Sequence, residues 1–226
     1  AIDYFVGLKL QAMGLTPSKE ADRATLARRV ALDLIGVPPE PAVLAEYLKT
    51  GAYEKYVDAL LASPQYGERW AKVWLDLARY ADTQGYEKDN KRTIWPYRDW
   101  VIRAFNENMP YNRFITEQLA GDEMGERTYD RLIATAFLRN YAKVGFREKD
   151  NPQFRFEYLD DMIATLGRGV MGVTVQCARC HNHKFDPIGQ ADYYRLQAYM
   201  AATDEHNIVL ATPAEQKDHE AITNRM

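Results

Sequence analysis

PQYGERWAKVWLDLARYA, residues 64–81, decides the fold. Ser63 and Pro64 open it as a capping residue and a first-turn proline would, and Trp70, Val73, Trp74, Leu77, Ala78 and Tyr80 then recur at helical spacing. A stripe this wide and aromatic packs most economically against other helices. Upstream, residues 53–61 and 40–49 each predict a helix of ordinary length. Before them comes a helix opened by Pro17, with Ser18 as its N-cap and Glu20 and Asp22 favouring the positive end of its dipole. Leu26, Val30, Leu32, Leu34 and Ile35 supply its buried face, and Gly36 with Pro38 and Pro39 stops it. The first segment carries Ile2, Phe5, Val6, Leu8 and Met13 on a rough helical stripe and ends at Gly14.

Downstream, residues 82–91 turn polar and lose their period, which predicts a loop. Helices return over 96–108, 112–120 and 129–139, followed by a second charged loop at 141–151. Residues 152–170 predict another helix, weakened at its end by Gly167, Gly169 and Gly172, and 190–201 a last one. A strand-like pattern is confined to 170–175. With no repeat or linker, the expectation is an all-α protein, one compact multi-helix domain over residues 1–226.

Composition narrows the function classes. The 226 residues carry a net charge of -3, with 46% hydrophobic and 27% charged residues, so disorder and nucleic-acid binding by bulk charge are excluded. No stretch reaches the roughly 18 apolar residues of a membrane-spanning helix. The N-terminus, AIDYFVGLKL, lacks the pattern of a signal peptide, and the chain is expected to be mature or a piece of something longer.

The two cysteines, Cys177 and Cys180, are followed at once by His181. Two thiols three residues apart close only a trivial loop, which excludes a disulfide framework. The order C-x-x-C-H suits thioether bonds to the two vinyl groups of haem, with the adjacent imidazole on the iron. A zinc site would need further ligands beside His181 or His183, and no second C-x-x-C is present. A thioredoxin-like redox pair expects a βαβ context that this chain does not show.

His183 is too near His181 in sequence to reach the opposite haem face; it orients the site by a hydrogen bond or packs the turn. His206, just past the last helix, is the candidate for the far side of the iron, with a solvated loop histidine as the competing reading and Met200 as the next candidate. The oxygen-rich stretch 82–89 offers calcium ligands out of EF-hand order, and a hydrogen-bonded loop is the favoured reading. Arg92, Arg98 and Arg103 are candidates for haem propionates or surface charges, and Trp95, Tyr97 and Trp100 for a pocket wall or, preferentially, the core.

Four long stretches carry a resemblance: EADRATLARRVALDLIGVPP at 20–39, YGERWAKVWLDLARYADTQGYEKDN at 66–90, YRDWVIRAFNENMPYNRFITEQLAGD at 97–122 and CARCHNHKFDPIGQADYYRLQAYM at 177–200. Together they resemble the planctomycete-type cytochrome c domain family, a domain of unknown function found in large extracytoplasmic proteins. The resemblance implies one covalently attached haem c on Cys177 and Cys180, a periplasmic or secreted setting and other domains in a longer parent chain. It implies no established reaction. Residues 141–151 depart from the family pattern, which has a more acidic, glycine-bearing loop there. The expected function is electron transfer to a redox partner protein, with His181 and His206 as candidate iron ligands. The alternatives are a haem enzyme, peroxidase-like or oxidative and acting on carbohydrate, with an open distal site, and a structural or zinc-binding module.

Overall fold

A computed structural model describes residues 2–86, 88–144, 151–209 and 211–223. The expectation of an all-α protein holds: no strand occurs among the described residues, only an isolated bridge between Thr83 and Lys91. The chain groups into two compact units, Ala1–Asp82 with Arg92–Phe137, and Thr83–Lys91 with Leu138–Met226.

The first unit contains α1 (Ile2–Ala12), α2 (Arg23–Leu34), α3 (Pro41–Thr50), α4 (Tyr53–Leu61), α5 (Pro64–Leu77), α6 (Trp95–Asn106), α7 (Tyr111–Ala120) and α8 (Tyr129–Ala134). The N-cap of α2 is Asp22 and not Ser18. Its carboxylate accepts both the backbone N–H of Thr25 (3.0 Å) and the Thr25 hydroxyl (2.7 Å), which ties off the first turn four residues later than predicted. Those bonds favour the ionised form and hold its pKa below the usual aspartate value. Ala27, Ala31 and Ile35 pack with Tyr47, Tyr56 and Leu60, where Tyr47 and Tyr56 stack at 4.7 Å. By contrast, α1 buries no residue, so its stripe is exposed.

Along α5 and its C-cap the buried positions are Gly67, Ala71, Trp74 and Ala78, spaced by four, three and four, while Trp70, Val73 and Leu77 stay partly exposed. Gly67 lets α6 come close: a Cβ there would meet the Ile102 carbonyl oxygen at 2.4 Å. Asn106 closes the same contact by accepting the Gly67 N–H at 2.8 Å and donating to the Pro64 carbonyl at 3.1 Å. Trp74 and Tyr97 both donate to the buried amide oxygen of Gln118, at 2.8 and 2.7 Å. Burial lifts the Tyr97 phenol well above the usual tyrosine range. Tyr97 and Trp100 are core residues as favoured, but Trp95, at the first position of α6, is 47% exposed.

Two predicted helices are interrupted within their span. The helix expected over 129–139 breaks at Thr135 into α8 and α9 (Ala136–Arg139). The one expected over 152–170 is α10 (Pro152–Leu166), continued by a π-helical turn, Gly167–Met171, that Gly172 ends in the left-handed region at φ 67°. The strand-like run at 170–175 therefore forms no strand.

In the second unit, α10 and its turn are followed by a 3₁₀ turn (Val175–Arg179), α11 (Gln190–Ala201) and α12 (Pro213–Thr223). Ile163, Val175, Ala178 and Tyr193 form its core cluster. Of the loop at 141–151, residues 145–150 lie outside the described residues, as does Glu87 of the polar loop.

Candidate functional site

A 3₁₀ helix repeats every three residues, so side chains at i and i+3 eclipse. In Val175–Arg179 this spacing sends Val175 and Ala178 inward, 3% and 0% exposed. The same spacing aligns Cys177 with Cys180, the residue that caps the turn, and both are free and exposed. The exposed His181 follows directly. Its Nδ1 lies 2.7 Å from the Asn182 carbonyl oxygen. A carbonyl only accepts, so Nδ1 carries a proton, and in the neutral ring Nε2 is the nitrogen whose lone pair is left for another atom.

His183 has the opposite arrangement. Its Nδ1 accepts the backbone N–H groups of Asp186 (2.9 Å) and Phe185 (3.3 Å), which leaves Nε2 to donate to the Thr174 hydroxyl at 3.1 Å. The ring is therefore neutral, and the Asp186 carboxylate 3.2 Å from Nδ1 is no partner of an imidazolium. Its backbone N–H donates to the Ile188 carbonyl at 2.8 Å. Of the two roles predicted for it, packing the turn is the one its bonds describe.

Asp160 holds the turn from inside. This α10 residue is 6% exposed and was not singled out by sequence reasoning. One carboxylate oxygen accepts from the Tyr193 hydroxyl; the other accepts from the Gln176 amide at 2.7 Å and pairs with Arg179 at 3.0 Å. Burial, then the bond to this carboxylate, raises the Tyr193 phenol above the usual tyrosine range. Gln190 and Tyr194 of α11 donate to the Arg179 carbonyl at 3.0 and 3.2 Å, and the Asn182 side chain accepts the Gln190 N–H at 2.9 Å. Phe185, 84% exposed, lies in the same loop under the Lys184 ammonium.

His206 is exposed and belongs to another network. Arg139 donates to its carbonyl (3.1 Å) and to the Asn207 side chain (2.5 Å), while Tyr141, Lys143 and Arg139 converge on Glu205. Burial raises the Glu205 pKa, but these bonds outweigh it and hold it below the usual glutamate value. Met200 is half-buried at the end of α11. Among the described residues no hydrogen bond joins either one to the C-x-x-C-H turn, and no group of three His, Cys, Asp or Glu is placed to hold a metal ion by itself.

The remaining candidates have partners of their own. Arg98 pairs with Asp99 and Arg103 with Asp130, each at 2.8 Å, and Arg92 donates to the Ala81 carbonyl at 3.0 Å. In the polar loop, Asp82 accepts from Tyr80 at 2.6 Å and Asp89 accepts the Gly85 N–H at 2.8 Å, so the loop closes on itself. A cavity of about 350 Å³ in the first unit is lined by Trp100 and by the ion pair of Arg113 with the buried Glu117 at 2.7 Å. Residues 1–205 match the model of a family described as PSCyt2, protein of unknown function (DUF1549). No curated protein and no solved structure matches the chain.

Proposed function

The chain belongs to the PSCyt2 family of proteins of unknown function (DUF1549), and on that premise we propose that it is a c-type haem carrier that transfers single electrons outside the cytoplasm. The family supplies no reaction, so support comes from the residues of the turn. The observation that carries the reading is the His181 ring, whose Nδ1–H is committed to the Asn182 carbonyl at 2.7 Å. This is the tautomer an Nε2 ligand needs, and the bond that fixes it also sets the ring's orientation.

Cys177 and Cys180, exposed and eclipsed, suit attachment to one edge of a macrocycle. Each thiol adds across one vinyl group, sulfur to one carbon and hydrogen to the other, so attachment consumes no oxidant. Bound haem supplies a one-electron ferric/ferrous couple. The protein's part is to hold two sulfurs and one imidazole at fixed positions on a surface turn whose inward side chains are packed.

The test is the absorption spectrum of protein matured in a periplasm with a haem-attachment system. A Soret band that survives acid-acetone extraction is the expected result, and His181→Ala should keep the haem covalently bound while removing its axial signature. A wild type without a Soret band returns the turn to a structural or zinc-binding role. A high-spin wild type moves the reading to an enzyme with an open iron.

A further inference from the structure

We propose that Asp160 is the positioning residue of the C-x-x-C-H turn and that its charge pair with Arg179 sets the midpoint potential of a haem held there. The inference rests on the haem reading above and extends it to residues outside the motif.

The geometry singles out this carboxylate. It lies on α10, outside the turn, yet it grips both sides of Cys177 through Gln176 at 2.7 Å and Arg179 at 3.0 Å. Arg179 also lies between the two thiols in sequence, so the anchored residue is one whose backbone must stay fixed if both sulfurs are to meet one porphyrin edge. Tyr193, fully buried in the same core cluster, fixes the carboxylate in turn. A buried carboxylate with three donors is strongly oriented, because rotating it would leave polar groups unpaired.

Charge gives the pair its second consequence. Arg179 is partly exposed and within the attachment motif, whereas Asp160 is buried behind it. A positive charge beside haem iron favours the ferrous state, and the Asp160 carboxylate offsets that charge. Removing one member leaves the other uncompensated. The two single substitutions therefore act on the potential with opposite sign.

The experiment measures midpoint potentials of wild type, Asp160→Asn and Arg179→Gln, each matured with haem. Asn keeps the size of the side chain and one acceptor oxygen for Gln176, while its amide N–H can donate to the Tyr193 hydroxyl, which then turns from donor to acceptor. Asp160→Asn should raise the potential and Arg179→Gln should lower it, each by up to about tenfold in the one-electron equilibrium, or 59 mV. A loss of packing alone would not produce opposite signs. Shifts of the same sign, or none, overturn the proposal. Should Asp160→Asn fail to fold, the sign for Arg179→Gln decides, since that side chain is 43% exposed. If the wild type takes no haem, the haem reading fails separately, and hydrogen exchange of the apo chain judges the positioning role. Amides of residues 174–183 should then exchange faster in either variant, and unchanged exchange overturns it.

Discussion

The α5–α6 contact of the first unit and the C-x-x-C-H turn of the second use close packing for different ends. In the first, the chemically distinctive side chains face inward: Trp74, Tyr97 and Gln118 satisfy one another and Phe114 and Phe137 fill the space around them. In the second, small apolar residues face inward and the thiols and imidazole face out, with Asp160 holding the turn from beneath. The difference is one of periodicity as much as composition. A helix of 3.6 residues per turn buries a broad stripe, whereas the three-residue repeat sorts Val175 and Ala178 from Cys177 and Cys180.

The largest effect is expected where the proposed haem attachment rests on two sulfur atoms. Cys177→Ser combined with Cys180→Ser should abolish covalent haem, measured as complete release on acid-acetone extraction, while far-ultraviolet circular dichroism stays helical. Haem retained by that double variant would break the contrast, because attachment would not depend on the outward face. Trp74→Ala should do the converse, costing about 3–5 kcal/mol in urea unfolding and leaving covalent haem in place. Gly67→Ala is the subtler test of the α5–α6 contact. Its Cβ would meet backbone oxygen, which no side-chain rotation relieves, so a loss of about 1–3 kcal/mol is expected.

Legibility in the sequence follows the same division. The 53–61 and 190–201 helices were read to the residue because strong breakers flank them: Gly51 before one, Pro187 and Gly189 before the other. Ser18 misled because both it and Asp22 are capping residue types ahead of the apolar stripe, and only the hydrogen bonds to Thr25 single out Asp22. Trp95 misled because aromatic character says nothing about which side of α6 meets the core. α12 passed unseen, since PAEQKDHEAIT has no apolar stripe. The outward residues of the site were fully legible as C-x-x-C-H. Asp160 was not: it sits in a Leu-Asp-Asp run that reads as a solvated face, and its partners Gln176 and Tyr193 are 16 and 33 residues away.

A smaller effect separates Glu205 from the turn. Its folded pKa lies below the usual glutamate value of 4.5, because bonds from Lys143, Tyr141 and Arg139 overcome its burial. A depressed carboxylate contributes stability that is present in full above the unfolded pKa and is lost as pH falls through the folded one. Unfolding free energy should therefore decline below about pH 4.5, and Glu205→Gln should flatten that decline without moving the Soret band. An unchanged acid profile in the variant would place the titration elsewhere.

The smallest expected effect is the most informative about the iron. His206 is the candidate for the far side of the haem, and what holds it is not its ring: Arg139 grips the His206 carbonyl and the side chain of the neighbouring Asn207. A histidine built to ligate iron needs its ring oriented, usually by a hydrogen bond through the nitrogen that does not bind metal. His181 has that bond and His206 is held by its backbone instead. His206→Ala should accordingly leave the ferric spin state and cyanide affinity unchanged. If it converts low-spin haem to high-spin, the loop folds back as a ligand arm and the second unit supplies both axial groups. If nothing changes and the wild type is low-spin, Met200→Ala is the next variant. If the wild type is high-spin from the start, the outward face of the turn holds an open iron and electron transfer gives way to catalysis.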